Sequence, residues 1–265
     1  MDQATNGGLG LRINKQNMAY QLDEGVGGRA RIGMVTLATD HTIEYELGRA
    51  FNIPGVGYYG ARLFNESHID EKTLGAMAES ITATADLILP GVDLNVVGYG
   101  CTAASMVIGE EEVGRLINKA RPNAAYTTPI TAMQAAMKAF GAKNVAILTP
   151  YHDTVNQGIR DYVINRGLNV PVLGSFNEQD DNNVARITLD SVKQAAIDLG
   201  KESDIDAVFV SCTNVRLLDV VEELEQELGK PVTSSNHALG WHCLRLAGIE
   251  DHRPFGSLYS LGIAN

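Results

Sequence analysis

The chain has 265 residues, 45% of them hydrophobic and 20% charged, which suits a globular protein with one large core or two compact lobes. Its net charge of −11 argues against a nucleic-acid partner, because phosphate recognition wants a basic face. No run approaches the roughly 20 apolar residues of a membrane span, and the polar start has no signal-peptide core, so a cytoplasmic protein is expected.

Residues 1–28 read as an N-terminal extension, either loose or ordered by a neighbouring subunit. The run from Arg31 to Leu37 is an apolar, β-branched strand ending in the turn Ala38-Thr39-Asp40-His41-Thr42. Asp70 to Leu89 carries apolar residues at helical spacing until Pro90-Gly91 breaks it. Asp93 to Gly100 is a buried strand running into Cys101, and Glu110 to Lys119 is the next helix. Thr128 to Thr131 reads as a proline-led strand, followed by a helix from Ala132 to Phe140. Strands alternating with helices imply parallel sheets covered by helices on both faces.

The second half repeats this order. Lys143 to Thr154 matches Arg31 to Thr42, with Thr149 placed 113 residues after Thr36. Asp204 to Thr213 matches Val92 to Thr102, with Cys212 placed 111 residues after Cys101. Lys230-Pro231-Val232-Thr233 then leads a last strand, and His237 to Leu246 a last helix. A domain-sized period makes this two pseudo-symmetric doubly wound α/β lobes with the active site between them. Lobe 1 spans 29–141 and lobe 2 spans 142–265, with an exchange of C-terminal elements expected between them.

Three cysteines without a close CxxC pair argue against a disulfide framework or a structural zinc site. By default each is a small buried hydrophobe. Cys101 and Cys212 stand apart because they occupy equivalent strand ends, so the duplication predicts that they face each other across a pocket. Cys243 lies in a helical pattern and reads as core. Each of the paired cysteines opens a turn of small hydroxyl residues expected to start a helix. Free N–H groups there would bind a carboxylate and lower the pKa of the nearby thiol. Thr102, Thr213 and Asn214 lie in these turns. From the other strand ends come His41 and Tyr151, with one of the asparagines after Asp181, taken as Asn182, reaching the substrate. His41 and His152 fit a general base or a helix-capping position equally. No phosphate-cradling, dinucleotide or HExxH signature is present, so neither cofactor nor metal is called for.

The motifs "GYGCTAAS", "SCTNVR" and "LTPY" resemble the aspartate/glutamate racemase superfamily across residues 29–264. Within it they look most like the branch of maleate cis–trans isomerases, arylmalonate decarboxylases and racemase-like proteins of ectoine utilisation. The resemblance implies cofactor-independent chemistry on a small carboxylate, a homo-oligomer (dimer or tetramer), Cys101 as nucleophile or first base, and Cys212 as its acid partner. It also implies that Tyr151 binds substrate and that Thr102 and Asn214 line the carboxylate sites. The maleate isomerases carry asparagine in the first strand-end turn, whereas "LATDHT" puts His41 at or near that place. This departure favours a racemase-like enzyme of the ectoine-utilisation type over a maleate isomerase, and two retained thiols disfavour decarboxylation.

Overall fold

Strands buried on both faces need no polar alternation, and β1 (Ala30–Leu37) shows this, with seven of its eight residues buried. A computed structural model describes residues 13–68 and 70–264. After β1 come α1 (Ile43–Ala50), β2 (Val56–Leu63), α2 (Glu71–Ala76), α3 (Ala78–Asp86) and β3 (Val96–Gly100). Next are α4 (Thr102–Ile108), α5 (Glu110–Ala120), β4 (Ala125–Thr127) and α6 (Pro129–Phe140). The second set is β5 (Asn144–Thr149), α7 (Asp153–Ile164), β6 (Asn169–Ser175), α8 (Asp181–Val184), α9 (Leu189–Gly200) and β7 (Ala207–Val210). It closes with α10 (Val221–Leu228), β8 (Val232–Ser234) and α11 (Ser235–Leu246).

The strands form two four-stranded sheets, ordered β2-β1-β3-β4 and β6-β5-β7-β8, with every pairing parallel. The second order is the first displaced by four strands, so the sequence repeat is a repeat of architecture. In each sheet the order reverses between the first and third strands of the set, and ligands of open α/β sheets sit outside such strand ends. Cys101 directly follows β3, and Cys212 follows β7 by two residues.

One apolar cluster runs through both lobes, joining Val35, Tyr99 and Val97 to Val145, Ile147 and Phe209. A second covers the other face of the first sheet, where α11 from the end of the chain lays Trp241, Cys243 and Leu244 against Ile32 and Met34. Gly98 permits this approach, since a Cβ there would lie 2.5 Å from the Met34 methyl. Residues 13–26 are all exposed; the first twelve residues of the expected extension lie outside the described residues.

Three local expectations are corrected. Thr128 to Thr131 is the start of α6 rather than a strand. Thr128 caps the helix with its hydroxyl and Pro129 takes N1, where its missing N–H costs nothing. The helical span from Asp70 is divided at Met77 into α2 and α3, and α2 carries a reciprocal cap between Asp70 and Thr73. After Cys212 the chain turns through Thr213–Arg216 before a short 3-10 segment at Leu218–Val220, so only Cys101 opens a helix directly.

Candidate active site

Cys101 is the N-cap of α4, and its Sγ accepts the Ala104 N–H at 3.4 Å. Cys212 Sγ accepts the Asn214 N–H, also at 3.4 Å. The two motifs are tied by Ser235, whose Oγ accepts the Cys212 N–H at 3.0 Å and lies 2.7 Å from the Thr102 hydroxyl. Both thiols line one cavity between the lobes, together with Tyr151, Thr213, Asp181 and Leu37. The rest of its wall comes from Ala103 and from residues 65–68 and 73–77, which supply Asn65, His68, Leu74 and Met77. The open volume is about 30 Å3, room for roughly one water.

Both thiols are buried, and burial governs their titration. It pushes Cys101 up to about 12, outweighing the Ala104 N–H that favours the thiolate. Cys212 also stands well above an ordinary thiol, chiefly through burial and then the Asp181 charge, while the Tyr151 hydroxyl hydrogen-bonded to it pulls the other way. The expected lowering by a helix start is therefore outweighed: in the closed site both sulfurs hold their protons.

One carboxyl shares the cavity with the thiols and a second is buried behind its wall. Asp181, 6% exposed, lines the cavity and accepts a hydrogen bond from the Thr39 hydroxyl; burial raises its pKa. Asp40, 1% exposed, caps α1 by accepting the Thr42 and Ile43 N–H groups on Oδ1, each at 2.8 Å. Burial raises the group to about 6, against the Ile43 and Thr42 N–H groups and the Thr213 hydroxyl, which favour the charged form.

The cavity brings together four of the residues singled out from sequence: Cys101, Tyr151, Cys212 and Thr213. The other four lie elsewhere. His41 is exposed and faces an outer cleft, with Nε2 3.2 Å from Asn182 Oδ1, and Asn182 is itself exposed. Asp181, one residue before Asn182, lines the cavity, while Asp40, one residue before His41, is buried at the start of α1 and lines none of it. Thr102 acts on the Cys212 turn through Ser235. Asn214 braces the walls: its Oδ1 accepts the His41 N–H at 2.8 Å and its Nδ2 donates to the Asp181 carbonyl at 2.9 Å. His152 lines a separate cavity against α7, and Cys243 packs in the second apolar cluster. Among the described residues no three His, Cys, Asp or Glu side chains converge as a metal site.

Sequence reading missed Glu46 and the wall from residues 65–77. Glu46 is buried in α1 and accepts the Leu217 and Leu218 N–H groups at 2.7 Å each. A carboxylate within an apolar helix face was the available signal. Asn65 donates to the Thr39 hydroxyl at 2.7 Å, but nothing in its sequence context marks it.

Two matched α/β lobes with a thiol from each in one cavity define a class of two-lobed enzyme, and likeness to maleate isomerases over most of the chain makes it an isomerase. The chain belongs to the arylmalonate decarboxylase family, whose model matches residues 65–258. It is 24% identical to a maleate isomerase of Alcaligenes faecalis over 238 residues, covering 84% of this chain and 93% of that protein. The crystal structure of the maleate isomerase Iso from Pseudomonas putida S16 superposes with a TM-score of 0.79 at 22% identity, covering 87% of this chain and 98% of that one. A Nocardia farcinica maleate cis–trans isomerase mutant carrying a covalently bound succinylcysteine intermediate superposes with a TM-score of 0.75 at 23% identity, covering 83% and 93%. No helix among the described residues is long and apolar enough to cross a membrane.

Proposed function

We propose that this protein isomerises a small acid at a carbon next to its carboxylate, using Cys101 and Cys212 as the reacting pair and side chains alone. The observation that carries this reading is the meeting of two thiols from equivalent strand ends in one cavity with Tyr151. Two thiols on opposite sides of a substrate carbon can act as base and acid, or as nucleophile and acid. Tyr151, hydrogen-bonded to Cys212, steadies that sulfur as its charge changes.

Two reactions fit the pair. In cis–trans isomerisation the Cys101 thiolate adds to the alkene carbon, the adjacent bond rotates as a single bond, and elimination returns the thiolate. The maleate isomerases among the relatives, one with a succinylcysteine, support this form. In racemisation one sulfur takes the α-proton and the other returns a proton to the opposite face, the reaction of a racemase-like enzyme of the ectoine-utilisation type. The buried Asp181 in the cavity wall supports this second form, since a carboxyl there sits poorly with a dianion. His41 has no part in the choice, as its ring lies outside the cavity.

Incubation in D2O with single enantiomers of aspartate and 2,4-diaminobutyrate, and separately with maleate, distinguishes the two. Deuterium at the α-carbon with loss of optical activity marks racemisation, and fumarate marks cis–trans isomerisation. Full turnover by both Cys101→Ser and Cys212→Ser refutes the two-thiol reading.

A further inference from the structure

In a chain of net charge −11, a cleft whose cations lack partners stands out. The outer cleft that His41 faces is such a place. Its volume is about 550 Å3, and small-molecule sites run from about 300 to 1,000 Å3. Three pieces of chain wall it: the start of α1, the segment joining α8 to α9, and the loop after Cys212. None of its lining residues also lines the thiol cavity.

The acidic groups in these walls are already engaged. Glu46 is buried, and its carboxyl accepts the Leu217 and Leu218 N–H groups and the Asn236 amide. Asp219 is ion-paired with Arg49 and accepts the Tyr45 hydroxyl at 3.3 Å. The arginines are not engaged in this way. No carboxylate among the described residues lies within ion-pair distance of Arg186 or Arg216. Arg216 donates one N–H to the Ile187 carbonyl at 3.2 Å, which sets it beside the Arg186 backbone, and its Nε is buried without a partner. Arg186 is exposed. α9 opens at the cleft with Leu189, so its N-terminal dipole adds to the same positive field.

The duplication supplies a control. The equivalent cleft of the other half, about 300 Å3, lies between α2, α4 and the start of α7, with His152 in the place of His41. Leu74, Met106, Val107, Val155 and Ile159 make its walls apolar, and no arginine or lysine among the described residues lines it. The repeat thus builds such a cleft without cations, and the fold does not demand Arg186 and Arg216.

We propose that the outer cleft binds a doubly charged oxyanion, the phosphate group of a small phosphomonoester, between Arg186 and Arg216, at a site separate from the thiols. Two guanidiniums match two negative charges, and each planar fork can give paired N–H donors to phosphate oxygens. A monocarboxylate would leave one guanidinium unmatched. The cleft has room for more than a bare phosphate, so the group arrives on an organic molecule. The site rests on no assumption about what the thiols do.

The test is isothermal titration at pH 8 in low-salt chloride buffer, with inorganic phosphate and glycerol 3-phosphate as probes. Saturable one-to-one binding of at least one probe is expected, with a Kd of about 1 mM or tighter. Arg186→Gln and Arg216→Gln should each weaken it at least about fivefold, as loss of charge-assisted hydrogen bonds does. The Cys101→Ser/Cys212→Ser protein, and Lys119→Gln at an exposed cation of α5, should bind as the wild type does. Thermal melting checks folding; if Arg216→Gln does not fold, the exposed Arg186 alone decides. Binding of neither probe, a smaller loss in a folded arginine variant, or an equal loss in Lys119→Gln overturns the proposal. Loss of binding in the double-serine protein also overturns it, since the anion would then sit at the thiols.

Discussion

Replacing Glu46 tests how the first lobe holds the second lobe's thiol in place. Its Oε1 accepts the Leu217 and Leu218 N–H groups at 2.7 Å each, and its Oε2 accepts Asn236 Nδ2 at 2.8 Å. The same Asn236 amide donates to the Thr213 carbonyl at 2.7 Å, so one carboxyl of α1 braces both ends of the loop after Cys212. Glu46→Ala strands two buried N–H groups, each costing about 1–3 kcal/mol. Relief from keeping a carboxyl buried offsets part of this, since burial already raises the Glu46 pKa. The expected net loss is about 3 kcal/mol, against about 1 kcal/mol for Glu46→Gln, which keeps Oε1 but sets its amide against that of Asn236. Urea denaturation at pH 7 measures both, and the alkylation rate of Cys212 under native conditions should rise in Glu46→Ala as the loop loosens. A Glu46→Ala protein within about 0.5 kcal/mol of wild type, or a Gln variant as damaged as the Ala variant, refutes the bracing.

His41→Ala should change turnover by less than about twofold, because the ring lies on the outer side of its turn; a loss beyond about a hundredfold in kcat would place it at the chemistry after all. Asp40→Asn should raise stability at pH 8. The folded Asp40 pKa of about 6 exceeds the ordinary aspartate value of 3.8, so the carboxyl's contribution is full below about 3.8 and lost as pH rises through 6. The gain at pH 8 is about 3 kcal/mol, shrinking to nothing near pH 4, as read from urea midpoints across that range. Tyr151→Phe removes the hydroxyl that favours the Cys212 thiolate, so Cys212 should alkylate more slowly at a fixed alkaline pH. Unchanged alkylation would detach Tyr151 from that sulfur.

The duplication was legible because central parallel strands are written in apolar runs, and β1, β3, β5 and β7 stand out as such. Their edge partners do not. β2, with Gly57 and Gly60, is only partly buried, and β6 carries Pro171, which suits a strand edge and hides it in sequence. The proline at Pro129 is equally at home at the first residue of a strand or of a helix, and only the Thr128 cap decides. In the site, strand-end position was enough to single out the thiols. Turn geometry was not: a shift of one residue exchanges the inward and outward faces, so the outward Asn182 stood in for Asp181, and His41 faces the outer cleft. The protonation of the thiols depends on how completely the folded chain buries them, a tertiary property that no local motif encodes.

The most direct measurement of the thiol pair is α-deuterium incorporation in D2O, or fumarate formation from maleate, by the wild type, Cys101→Ser and Cys212→Ser, with folding checked by thermal melting. The two-thiol account predicts turnover of at least one substrate by the wild type and a fall of at least about a thousandfold in each folded single variant. Turnover that survives loss of either sulfur would contradict it.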